Sequence, residues 1–117
     1  MGEWQRIALA RTFYRNAELY LFDEPTSAMD AWAEVAWVKR LPELLRGKTA
    51  LIITHRLIAA MHADIICVMS EGRILEMGTH NELIAQGGLY AYSWNSQSGR
   101  LMAPRNSLIS FGASLRP

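Results

Sequence analysis

Two acids stand together at Asp23-Glu24, directly after the apolar run Leu19-Tyr20-Leu21-Phe22. A run of that length and aromatic content predicts a buried strand. Carboxylates delivered to the tip of such a strand need a cation or strong donors close by. A Mg²⁺ ion carried by a nucleotide is one such cation, and one or two carboxylates with waters usually hold it. Taken alone, the pair reads equally well as acids of a turn or helix start. Three further groups share the pattern. Asp30 lies at the end of Ser27-Ala28-Met29-Asp30, and His55 follows the apolar run Ala50-Leu51-Ile52-Ile53. Gly2-Glu3 opens a helical pattern, where free backbone N–H groups favour an anion. His55 alone would be an ordinary loop histidine, and Gly2-Glu3 alone an ordinary helix start.

The elements that position these residues follow from periodicity and punctuation. Trp4, Ile7, Ala8, Arg11, Tyr14 and Arg15 recur at spacings of three and four, which predicts a helix over 3–16. Asp30 is a candidate N-cap for a helix over 31–46, with Trp32, Val35, Val38, Leu41 and Leu45 on its apolar face. Pro42 should kink or divide that helix, and Gly47 should stop it. Strands are expected at 49–54, 65–69 and 73–77, the last two joined as a hairpin through Glu71-Gly72. Thr79 and Glu82 form a capping box for a helix ending at Gly87-Gly88, and a short helix covers 89–95. Alternating strands and helices imply an α/β layer with a largely parallel sheet, flanked by helices and followed by the hairpin and helices. In such sheets ligands bind beyond the carboxyl ends of the strands, where Asp23, Glu24 and His55 all fall.

Composition narrows the class. Half of the 117 residues are hydrophobic, enough for one small core. Residues 1–94 carry nine Lys/Arg and eleven Asp/Glu, so no basic face for nucleic acid is expected there. The single cysteine, Cys67, excludes an intrachain disulfide and is expected to be a buried thiol. No apolar stretch reaches the roughly 18 residues of a membrane span, so membrane association would come only through a partner. Residues 95–117, rich in Ser, Gly, Asn and Pro, with Arg100, Arg105 and Arg116 and no acid, are expected to form a disordered tail.

In order, the motifs read Gly-Glu-x-Gln-Arg, strand, Asp-Glu-Pro-Thr-Ser-x-x-Asp, helix, strand, Thr-His-Arg. This series resembles the ATP-binding-cassette ATPases over residues 2–94. Gly2-Glu3 resemble the end of the signature motif, with Gln5-Arg6-Ile7-Ala8-Leu9-Ala10-Arg11 its continuation. Leu19–Asp23 resembles Walker B, Glu24 the catalytic glutamate, Ser27–Asp30 the D-loop and His55 the switch histidine. Glu71-Gly72-Arg73-Ile74 and Gly78-Thr79-His80-Asn81-Glu82-Leu83 resemble the segment that follows in exporters.

The resemblance implies the C-terminal part of a P-loop-type ATPase domain that powers transport across a membrane with ATP and Mg²⁺. Asp23 would hold the metal, Glu24 would act on the attacking water, and His55 would contact the γ-phosphate. Gly2, Glu3 and Asp30 would face a second ATPase domain in a head-to-tail dimer. The other implied partner is a transmembrane transporter domain, with the ATPase on the cytoplasmic side of the cell membrane.

The sequence departs from the pattern in two places. Met1 stands where the first signature glycine is expected. No G-x-x-x-x-G-K-[ST] loop, which would cradle phosphates with backbone N–H groups and a lysine, occurs in the 117 residues. The expectation is therefore a truncated gene product that does not turn over ATP alone, with a bare edge on the 19–22 strand. The competing readings are a non-catalytic remnant or interaction fragment, and an ATPase of the same family acting on nucleic acid. Against the latter stand the balanced charge of 1–94 and the lack of coiled-coil heptads.

Overall fold

The computed structural model describes residues 2–98 and 108–114. Five helices and five strands alternate as α1 (Gly2–Tyr14), β1 (Leu19–Asp23), α2 (Ala31–Leu44), β2 (Thr49–Thr54), α3 (Leu57–Ala60), β3 (Ile65–Ser70), β4 (Arg73–Gly78), α4 (His80–Gln86), α5 (Leu89–Ser98) and β5 (Leu108–Ser114). The strands form one sheet in the order β1-β2-β5-β3-β4. β1 and β2 are parallel in the register Leu19↔Thr49 through Asp23↔Ile53. β5 runs antiparallel to both β2 and β3, so β1, β2 and β3 share one direction. The α/β layer of the sequence reading is present. The hydrogen-bonded ladder is mixed, because β5 separates two strands that would otherwise pair in parallel.

Within the stretch 95–117 expected as a disordered tail, α5 continues to Ser98 and residues 108–114 are a strand, while 99–107 and 115–117 lie outside the described residues. The physical reason lies in Ile109, Phe111 and Ala113, which alternate with Ser110, Gly112 and Ser114. That period-2 pattern suits one face of a sheet. In register, Phe111 stands opposite Ile52 and Ile66, whose own side chains are buried.

β1 alternates between exposed and buried, and β2 between buried residues and the half-buried Leu51 and Ile53. Tyr20, Phe22, Ala50, Ile52 and Thr54 point into the core. Phe13 of α1 packs on Tyr20 and Phe22 at ring-centroid distances of 5.5 and 5.7 Å, and Trp37 of α2 meets Phe22 edge-on at 5.8 Å. Such aromatic contacts are worth about 0.5–1.5 kcal/mol each beyond the area they bury. Leu19 and Leu21, on the other face, are exposed, and among the described residues β1 pairs only with β2. Cys67 is half-buried rather than fully buried, because it alternates with Ile66 and Val68, which take the core side.

Two helix faces differ from the sequence reading. In α2 the buried stripe is Glu34, Val38 and Leu41, continued by Leu45, while Trp32 is 88% exposed. In α1 Leu9 is buried and Phe13 partly so, while Trp4 and Tyr14 lie in solvent. Pro42 does not divide α2. The helix ends two residues later, so Pro42 removes one backbone bond, to the Val38 carbonyl, close to the point where the helix stops. Asp30 caps α2, its Oδ1 accepting from Ala33 N–H at 2.8 Å, and Thr79 caps α4 by accepting from Glu82 N–H at 3.2 Å. Glu71 and Gly72 both adopt positive φ, the signature of the tight hairpin turn between β3 and β4.

Candidate functional site

The parallel pairing of β1 with β2 brings two sequence-distant motifs together. Asp23, the last residue of β1, pairs with Ile53 of β2, and each chain then leaves the sheet at the same end. Glu24 follows Asp23, and His55 follows Thr54. Glu24 Oε1 lies 3.0 Å from His55 Nε2. The glutamate side chain is 26% exposed and the imidazole 60%, so the pair sits at the mouth of the site with the acid beneath.

The backbone at Glu24 is unusual. Its φ is 48°, a left-handed conformation that is uncommon and costly for a residue with a side chain. It is held there by its own N–H, which donates to the Ile53 carbonyl at 2.7 Å. Pro25 and Thr26 are buried immediately after it. Glu24 Oε1 is itself buried and, despite its closeness to the imidazole, makes no well-angled hydrogen bond among the described residues. The Thr26 hydroxyl, in the same loop, is also buried without a partner among them.

Asp23 is exposed at the tip of β1, next to this pair in sequence. Among the described residues no three His, Cys, Asp or Glu side chains cluster closely enough to hold a metal by themselves. The donor set therefore fits a Mg²⁺ ion that arrives with phosphates and waters as most of its ligands, with Asp23 as a protein-side carboxylate. Glu3 is exposed in the first turn of α1, after Gly2. Asp30 is exposed at the far end of the loop that Glu24 begins. The structure thus joins Asp23, Glu24 and His55 at one sheet end. No hydrogen bond or ion pair joins Gly2 or Glu3 to them among the described residues; the helix α1 that these two begin reaches the loop between Glu24 and Asp30 through Gln5.

Three residues with a part in this arrangement were not singled out from sequence: Gln5, Glu34 and Arg56. Arg56 Nη1 donates to Glu34 Oε2 at 2.8 Å, and Glu34 is almost fully buried. The signal was available. Gln5 continues the Leu9–Phe13 stripe at a spacing of four, and Glu34 continues Val38–Leu41–Leu45. A polar residue in phase with an apolar stripe announces a buried partner.

The acid–histidine pair lies at the carboxyl ends of parallel strands, with a second acid beside it in sequence. Comparison with known proteins supplies the family. No protein-family model matches the chain. The ATP-dependent lipid A-core flippase of Bordetella avium is 47% identical over 96 residues, which is 82% of this chain and 16% of the flippase. ABC transporter B family member 24, mitochondrial, of Arabidopsis thaliana is 43% identical over 100 residues, 86% of this chain and 15% of that protein. The structure of a bacterial Atm1-family ABC exporter with ATP bound superposes with a TM-score of 0.74 and 38% identity, over 83% of this chain and 17% of the exporter. The homologues of this chain are ABC transporter ATP-binding and exporter proteins, and its fold matches part of the ATPase domain of an Atm1-family exporter. The chain spans about one-sixth of the length of these relatives.

Proposed function

We propose that this chain carries the hydrolytic side of an ATP site that drives an exporter, and that the phosphate-cradling side comes from another segment or chain. The observation that carries the reading is the Glu24–His55 contact of 3.0 Å at the shared end of β1 and β2. When bound, Mg²⁺-ATP would supply the phosphoryl group and neutralise the charge that develops on it. Asp23 would bind the metal through water. Glu24 would orient the attacking water and accept its proton on the buried Oε1, an atom that the described residues leave without a hydrogen bond. His55, more exposed than Glu24 and already 3.0 Å from its carboxylate, would donate to the terminal phosphate oxygens when they are bound. Gly2, Glu3 and Asp30 would face the nucleotide held by a second ATPase domain. A transmembrane domain would be the other partner. Among the described residues no helix is long and apolar enough to cross a membrane, so the span would lie outside them. The ATPase would work on the cytoplasmic side.

The absence of a G-x-x-x-x-G-K-[ST] loop from the 117 residues favours a non-catalytic role for the chain by itself. Both statements are tested together by measuring ATP hydrolysis by the chain alone, and then with an exporter ATPase segment carrying that loop added in trans. The expected result is no turnover alone, and turnover in the mixture that falls at least about 100-fold with Glu24→Gln. Equal turnover by the Glu24→Gln mixture would sink the assignment of Glu24. Turnover by the chain alone would sink the need for a second segment.

A further inference from the structure

Gln5 sits one turn into α1, and its carboxamide leaves the helix to meet the loop between β1 and α2. Nε2 donates to the Glu24 carbonyl at 3.1 Å and to Ser27 Oγ at 3.3 Å, while Oε1 accepts from the Ala28 N–H at 3.0 Å. One side chain thus uses both its donor and its acceptor on a segment about twenty residues away. From another direction Arg56 donates to the Ser27 carbonyl at 3.3 Å and to the Met29 carbonyl at 3.4 Å, and its guanidinium is anchored on buried Glu34 at 2.8 Å. Asp30, which ends the loop, caps the same helix that carries Glu34.

The bonds around Glu24 determine more than the loop's place. The peptide before its Cα is fixed by the Glu24 N–H bond to the Ile53 carbonyl, and the peptide after it by two bonds to the Glu24 carbonyl, one from Gln5 Nε2 at 3.1 Å and one from the Ser27 N–H at 3.2 Å. Fixing both peptides fixes φ and ψ, and with them the direction in which the side chain leaves the backbone. That direction carries the carboxylate to His55. A left-handed φ of 48° persists only where the surroundings over-determine it, and of these three bonds only the one from Gln5 comes from outside both the sheet and the loop itself.

We infer that Gln5 is a positioning residue for Glu24, with Arg56 as its counter-clamp, so that a tilt of α1 is passed to the Glu24 carboxylate. The inference rests on the reading of Glu24 as the hydrolytic acid. α1 begins at Gly2-Glu3, the residues proposed to face a second domain's nucleotide, so this clamp would link occupancy of one site to the acid of the other. The link has two states to choose between: Gln5 bonded to the loop, or α1 displaced and Glu24 free to relax.

Two variants separate the donor from the acceptor. Gln5→Ala removes both, whereas Gln5→Glu keeps an acceptor for Ala28 N–H and removes the donor to Glu24. Amide exchange in the full chain, followed by NMR, should be about tenfold faster at Ala28 in Gln5→Ala and near wild type in Gln5→Glu. Exchange at Ile52 and Val68 should stay unchanged in both, showing that the core is intact. In the complemented ATPase mixture both variants should lower kcat about tenfold with KM unchanged, because both lose the bond to the Glu24 carbonyl. Unchanged Ala28 exchange in Gln5→Ala overturns the clamp. Unchanged kcat in Gln5→Glu, in a mixture that Glu24→Gln inactivates, overturns the link to catalysis. If the wild-type mixture hydrolyses no ATP, the reading of Glu24 fails instead, and the Ala28 exchange rates still decide whether Gln5 holds the loop.

Discussion

In α1 Leu9 is the one buried apolar side chain described, and it keeps 9% of its surface exposed, whereas α5 buries Tyr90, Ala91, Ser93 and Ser96. The two helices stand at opposite ends of the described chain up to Ser98 and serve different purposes. α5 closes a cluster in which His80 Nδ1 meets the Tyr90 hydroxyl at 2.7 Å and the His80 ring lies 4.6 Å, edge to face, from Trp94. Glu76 Oε2 accepts from the Tyr90 N–H at 2.8 Å, tying this cluster to β4. α1 is attached by the Leu9 and Phe13 contacts and by the polar reach of Gln5. A helix fixed by a few contacts can shift without unfolding the core, while one fixed by a packed cluster moves only when the cluster breaks. The region nearest the candidate site is thus the looser one.

The largest test of this contrast replaces one leucine in each region. Leu83, fully buried in α4, should cost about 3–5 kcal/mol of global stability when changed to Ala, by cavity formation. Leu9→Ala should cost about 2 kcal/mol or less globally, and should appear instead as faster exchange or proteolysis confined to residues 2–14. Denaturant melts with site-resolved exchange would decide, and equal global costs would remove the distinction. A smaller test compares the caps. Asp30→Ala and Thr79→Ala each remove one side-chain acceptor and should each cost about 1 kcal/mol. Only Asp30→Ala should also disturb the Glu24–His55 contact, which the His55 side-chain NMR signals would report.

The smallest effect is on pH. Burial, followed by the charge of His62, lowers the His80 pKa below its usual value. The unfolded chain therefore takes up a proton near pH 6.5 that the folded chain resists, so stability falls as pH drops through 6.5 toward the lower folded value. At the other extreme, burial raises the Tyr90 phenol to about 12. The unfolded phenol ionises first, near 10, so stability falls as pH rises from 10 to 12. Thermal melts of wild type and His80→Gln across pH 5–7.5 should converge at the acid end. Parallel curves would show that His80 does not contribute.

Much of the site was legible because its residues follow apolar runs. Leu19–Phe22 and Ala50–Ile53 could be read as strands from composition, and each delivers its polar residue at the C-terminal end. That these strands are neighbours in the sheet was not readable, since parallel pairing depends on how the intervening helix packs. The face of α2 was misassigned because Trp32 and Val35 look like better core residues than Glu34, and burial of an acid depends on Arg56, a partner from a different element. β5 was missed for a related reason. Its serines and glycine suggest a loop by composition, while its alternation suggests a strand, and only the vacant position between β2 and β3 selects the second.

That position has a consequence for how the molecule is made. β5 comes after every other strand in sequence yet stands third of five in the sheet, and among the described pairs it alone joins β1–β2 to β3–β4. During synthesis Thr49 must wait for Ser114 before its second partner exists. Until residues 108–114 leave the ribosome, the inner edges of β2 and β3 present unpaired N–H and C=O groups to whatever strand is at hand. The nascent chain would therefore need shielding longest at its centre, after its helices have formed.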